Sequence, residues 1–161
     1  MKRLFHYTSK CRLLKIIKDN EIRPAKMSDA PLEKPGVWFS FHSRWEPTAT
    51  KTFVNPLTGR REFVVFERMG PVDPPARIEI DPSIAPTRWN EFVQLSGMPP
   101  EMAREVERIA RKRGANPDEW RVCFEAVSFD ASVTVEIHVN NQWIDAHEYF
   151  RRVGWKNVSM G

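Results

Sequence analysis

Cysteine is scarce in this chain. Cys11 and Cys123 are the two among 161 residues, and neither sits in a CxxC pair. A disulfide framework and the paired spacings of zinc ribbons and redox motifs are therefore excluded, and both thiols read as small buried hydrophobes. Glycine is sparse, at seven residues, and no Gly-rich phosphate loop, GxSxG elbow or HExxH motif occurs. Long apolar runs are missing as well. The longest is Phe63-Val64-Val65-Phe66, far below the roughly 18 residues of a membrane span. The amino-terminal Met1-Lys2-Arg3-Leu4-Phe5-His6 is basic without a long apolar segment of the secretory kind. With the cysteine usage, this leads us to expect a protein of the reducing cytoplasm with no membrane partner.

Charge of one sign is not dominant: 25 Lys and Arg stand against 21 Asp and Glu, for a net +4. The densest basic group, Arg104, Arg108, Arg111, Lys112 and Arg113, is interleaved with Glu101, Glu105 and Glu107. Glu107 and Arg111 are spaced for an i,i+4 pair, so the group reads as a solvated helix face. No zinc-finger spacing, RNP motif or long Lys/Arg block marks a nucleic-acid module.

What the chain has is apolar and aromatic content. Hydrophobic residues make up 41% and aromatics 11%, with six Trp beside two Tyr and ten Phe. That is enough for one core, and the length fits a single domain over residues 1–161. The patterning predicts a strand over 3–7, hydroxyls at Thr8 and Ser9 suited to capping, and a helix over 10–19 with Leu13, Leu14, Ile16 and Ile17 on one face. Loop chemistry follows over 25–35, with Pro31 and Pro35, and then a buried strand over 36–41. The polar stretch 42–52 could begin a helix, with Pro47 near its first turn. Strands are expected over 62–68 and 77–81, a short helix over 89–95, and a longer one from Pro99 or Pro100 to Gly114 with Met102, Val106 and Ile109 inward. Further strands are expected over 120–129 and 133–139, and a strand or turn over 142–145. In the 133–139 strand, Thr134, Glu136 and His138 share the face opposite Val133, Val135, Ile137 and Val139. Trp89 and Trp120 read as core residues, while Trp45, Trp143 and Trp155 have no assignment. This order of elements is that of an α+β domain with mainly antiparallel pairing.

One constellation goes further. His6-Tyr7-Thr8-Ser9, the helix after it, and Gly36-Val37-Trp38-Phe39-Ser40 resemble the ADP-ribosyltransferase fold. The resemblance is to its His-Tyr-Glu branch, which includes diphtheria-toxin-like and poly-ADP-ribose-polymerase-like enzymes, and it covers about residues 3–52. It implies split antiparallel sheets with a few peripheral helices around a cleft for NAD, bound as substrate. His6 would bond the adenosine-ribose hydroxyls, with Thr8 as the accompanying hydroxyl and Tyr7 where polymerase-like members carry a glycine. Trp38 would take the place of the Tyr that stacks on nicotinamide, and Ser40 would follow the strand. No residue matches the second pocket aromatic. The activity implied is mono-ADP-ribosyl transfer to a protein or nucleic-acid acceptor, or NAD glycohydrolysis, in keeping with a small toxin or effector.

The chemistry sets its own demands. Cleaving the nicotinamide–ribose bond builds positive charge on the sugar, so the site needs a carboxylate beside the ribose, an aromatic surface for the leaving ring and donors that fix the rest of the dinucleotide. The candidate carboxylates are Glu125, within the apolar run Trp120–Val127, and Glu136; Glu125 is preferred because an apolar strand gives a surface role less room. Arg77 would be a surface partner of Glu79 or Asp81, or a clamp on pyrophosphate. His138, Glu136 and His147 match no established metal spacing, and no metal is expected. Two rival functions stay open: a catalytically inactive member of this fold that binds protein or nucleic acid, and an RNA 2′-phosphotransferase-like enzyme, for which Arg77 would have to reach a phosphate.

Overall fold

The computed structural model describes residues 2–25, 34–130 and 133–154; the Pro31 part of the expected loop and Trp155 lie outside them. In chain order the strands and helices are β1 (Leu4–Ser9), α1 (Lys10–Asp19), β2 (Glu21–Ile22), β3 (Val37–Ser40), β4 (Thr50–Val54), β5 (Arg61–Val65), β6 (Pro75–Ile80), β7 (Thr87–Arg88), α2 (Trp89–Ser96), α3 (Pro100–Lys112), β8 (Trp120–Cys123), β9 (Val127–Ser128), β10 (Thr134–Val139), β11 (Gln142–Asp145) and α4 (Ala146–Arg152). The fold is α+β. Seven strands form one antiparallel sheet in the order β11-β10-β6-β1-β3-β8-β7, with β2–β9 and β4–β5 as separate two-stranded pairs.

The large sheet has a narrow waist. β1 pairs with β6 over six residues, Leu4↔Ile80 to Ser9↔Pro75, whereas β1 and β3 are registered only at Phe5↔Ser40. Paired residues in an antiparallel sheet share a face. On one face Leu4, Ile78, Ile80, Val135, Ile137 and Phe39 form a core with Leu13 of α1 and Tyr149 and Phe150 of α4. On the other face of the β3-β8-β7 half, Trp38, Trp120 and Val122 pack with Trp89 and Phe92 of α2 and Ala103 and Ala110 of α3.

Local chemistry explains most boundaries. Ser9 Oγ accepts from the Arg12 N–H to start α1, and Asn20 at φ 53° ends it. Thr8 is not part of the cap: it stays in the strand and is buried. Gly36 is required by close approach, since a Cβ there would lie 2.5 Å from Val122 Cγ2.

Several expectations are corrected. Residues 42–49 form no helix; they make a bent loop leading into β4, because the buried polar network described below holds their backbone. The inward residues of α3 are Ala103 and Ala110, with Val106 partly buried, while Met102 and Ile109 are largely exposed: small side chains let the helix lie close to the tryptophans of α2 and β8. The strand expected over 120–129 breaks at 124–126, so Glu125 sits in an exposed bend and not within an apolar strand. Cys11 is exposed on α1, not buried. Among the described residues no helix is long and apolar enough to cross a membrane.

Candidate functional site

Alternation along β6 places Arg77 between Tyr7 of β1 and Glu136 of β10 on the face opposite the α1 core. Its guanidinium is not at the surface; Arg77 is 6% exposed. A charge so buried has to be paired and hydrogen-bonded. Nε donates to Glu136 Oε2 at 2.6 Å, and a terminal nitrogen donates to the Ser43 carbonyl. The planar group lies between the rings of Phe5 and Trp143, each 4.3 Å from Cζ. Glu79, the expected partner, is taken by Arg3.

The same cluster fixes the loop after β3. The Tyr7 hydroxyl donates to the His42 carbonyl, Arg77 to that of Ser43, and Trp143 Nε1 to that of Arg44 at 2.9 Å. Three consecutive carbonyls are thus held by side chains from β1, β6 and β11. Beside them the Ser40 hydroxyl donates to Glu46 Oε2 at 2.6 Å, and Thr48 donates to Oε1 through its hydroxyl at 2.6 Å and its N–H at 3.2 Å. Burial pushes the Tyr7 phenol up to about 12, against the opposing pull of the Arg77 charge. His138 packs against Trp45 and Trp143, with centroids at 5.3 and 4.9 Å, and is held below its ordinary range by burial and then by the charges of Arg77 and Arg44.

His6 lies on the opposite face with Ile78 and Val135, its ring edge-on to Phe39 at 5.7 Å. Nδ1 is 2.9 Å from the Trp38 carbonyl. A carbonyl can only accept, so Nδ1 carries the proton. Burial, with a smaller contribution from the Arg12 charge, lowers the ring's pKa and keeps it neutral at pH 7 despite the opposing effect of that hydrogen bond. Nε2 is then an acceptor with no partner among the described residues. Thr8 shares this face through its pairing with Ala76.

The Trp38 ring belongs to the other face. It meets Phe92 edge-on at 4.5 Å and lies 6.0 and 6.5 Å from Trp89 and Trp120. The Trp120 indole N–H, buried in this group, has no hydrogen-bond partner among the described residues, while the Trp89 N–H donates to Glu107 at 2.6 Å. That bond takes up the carboxylate expected to pair with Arg111. Phe124 stacks on Phe92 at 5.6 Å, and Glu125 follows it in the exposed bend after β8.

The structure brings together Tyr7, Arg77 and Glu136, with Ser40 beside them through Glu46. It separates this group from His6 and Thr8, which face the α1 core, and it does not place the Trp38 ring with His6. The residues that complete the Arg77 cluster, Trp45, Glu46 and Trp143, carry no motif; the one sequence signal was the polar face Thr134, Glu136 and His138. Among the described residues no three His, Cys, Asp or Glu side chains are arranged to hold a metal ion. Comparison with protein-family models, with curated proteins and with solved structures finds no significant match to this chain.

Proposed function

We propose that the chain binds NAD at the waist between β1 and β3 and cleaves its nicotinamide–ribose bond, as an ADP-ribosyltransferase or NAD glycohydrolase. The observation that carries this reading is the His6 ring at the point where the sheet narrows to one registered pair. Its Nδ1–H is committed to Trp38, and its Nε2 lone pair is suited to a ribose hydroxyl. Of the two carboxylates, Glu125 is the better candidate. It is exposed in the bend after β8 and makes no ion pair among the described residues. Glu136 is tied to Arg77 on the face opposite His6. In the reaction, nicotinamide leaves with the electron pair of the C–N bond, Glu125 stabilises the charge left on the sugar, and an acceptor oxygen or nitrogen bonds to the sugar carbon and gives up its proton.

A second reading, binding without turnover, is favoured by the packing of Trp38. Its ring is engaged with Phe92, Trp89 and Trp120 and offers no open platform for nicotinamide.

Labelled NAD separates the two. Wild-type protein is expected to release nicotinamide, Glu125→Gln to lose most of that release with its fold intact, and His6→Ala to weaken NAD binding. A thermal shift with NAD but no release would select the second reading. Neither shift nor release would discard both.

A further inference from the structure

The β4–β5 hairpin carries a surface that the NAD reading does not use. A cavity of about 440 Å³ separates it from the loop at 45–49, with Trp45, Phe63, Val65 and Phe66 among its apolar lining and Arg68 and Arg113 as its cations. Register puts Arg61, Phe63 and Val65 on one hairpin face. Phe63 is 62% exposed, and the Arg113 guanidinium reaches over its ring at 5.7 Å from the end of α3.

Among the described residues the cations here outnumber the acidic groups. Along α3 the acidic residues are already engaged: Glu101 with Arg104, Glu105 with Arg108, and Glu107 with the Trp89 indole. Arg61, Arg68 and Arg113 are exposed and make no ion pair among the described residues. Glu46, the acidic residue in the lining, is buried and hydrogen-bonded by Ser40 and Thr48, and its single charge stands against the three arginines. An exposed aromatic ring and an apolar floor under a cationic rim suit a planar apolar group attached to negative charge. An acidic peptide would meet the arginines and leave the floor unfilled, and a duplex has its base faces already stacked.

We propose that this surface binds single-stranded nucleic acid, with one base entering the cavity against Phe63 and the flanking phosphates on Arg61, Arg68 and Arg113. The interaction needs no NAD and stands or falls independently of turnover.

The test is fluorescence anisotropy of the full chain with labelled oligo-dT and oligo-rU of about 15 nucleotides. Stacking and phosphate charge are indifferent to the 2′-hydroxyl, so the two are expected to bind within a few-fold of each other. With three phosphates engaged, affinity should fall roughly twentyfold between about 50 and about 200 mM salt. Phe63→Ala is expected to weaken binding about tenfold, the contribution of one stacked base, with an unchanged thermal midpoint. Arg113→Ala should weaken binding and flatten the salt dependence. The proposal is overturned by no binding at the lower salt, by Phe63→Ala binding as tightly as wild type, or by displacement with duplex or a Glu-rich peptide as effective as with unlabelled single strand.

Discussion

Two groups of tryptophans lie on the same face of the large sheet and solve different problems. In the β11-β10-β6-β1 half, Trp143 covers a buried cation and donates its N–H to the Arg44 carbonyl. In the β3-β8-β7 half, Trp38, Trp89 and Trp120 pack on one another and on Phe92, and the Trp120 N–H has no partner among the described residues. The first group is polar, and its hydrogen bonds reach into the loop after β3. The second is mainly apolar and, apart from the Trp89 bond to Glu107, is held by shape and dispersion. A surplus of one residue type therefore says little about its use; what decides is whether a charge lies underneath.

The largest expected effect breaks the first group. Arg77→Ala leaves Glu136 with the longer contact to Arg3 at 3.8 Å and releases the loop, at a cost of about 3 to 5 kcal/mol in urea unfolding, and a combined Arg77→Met, Glu136→Gln variant should recover much of it. Equal losses in the single and combined variants would show that the pair is not what holds the region. Next comes alkali. The Tyr7 pKa is about 12 when folded and about 10 when unfolded, so its contribution is full below about pH 10 and is lost as pH rises through about 12, amounting to about 2 to 3 kcal/mol. Tyr7→Phe should remove that part of the alkaline transition. Smaller still, Trp143→Phe loses the bond to Arg44 and part of the stacking on Arg77, about 1 to 2 kcal/mol. Smallest is Trp120→Phe, where deleting an unpartnered N–H offsets lost apolar area and leaves stability within about 1 kcal/mol of wild type. If the last two changed places, the contrast between the groups would be wrong.

Elements with a strong period were legible from sequence: α1 matches its predicted span of 10–19, and the two faces of β10 match the alternation of Val135 and Ile137 with Thr134, Glu136 and His138. What was not legible depended on partners distant in the chain. The loop at 42–49 has helix-compatible composition, and its conformation is dictated by Tyr7, Arg77 and Trp143. Arg77 looked like a surface residue because alternation identifies a face without saying what covers it. The apolar neighbours of Glu125 have the pattern of a strand, but Phe124 turns onto Phe92 and the strand stops at Cys123. His6 was visible as a candidate, whereas its separation from the Trp38 ring follows from the register at Phe5↔Ser40, which no local pattern encodes.

The three captured carbonyls also set an order of events. Tyr7, Arg77 and Trp143 lie 35, 34 and 99 residues from the positions they hold, so the loop cannot take its conformation before β1, β6 and β11 have assembled. Its amides are tied in turn by side chains: His42 to Ser40, Trp45 to the His42 ring, and Thr48 to Glu46. In hydrogen exchange these amides should open together with the sheet, at the slow rate of global unfolding and not at the fast rate of a surface loop. The segment that looks least regular would then report the cooperativity of the whole domain.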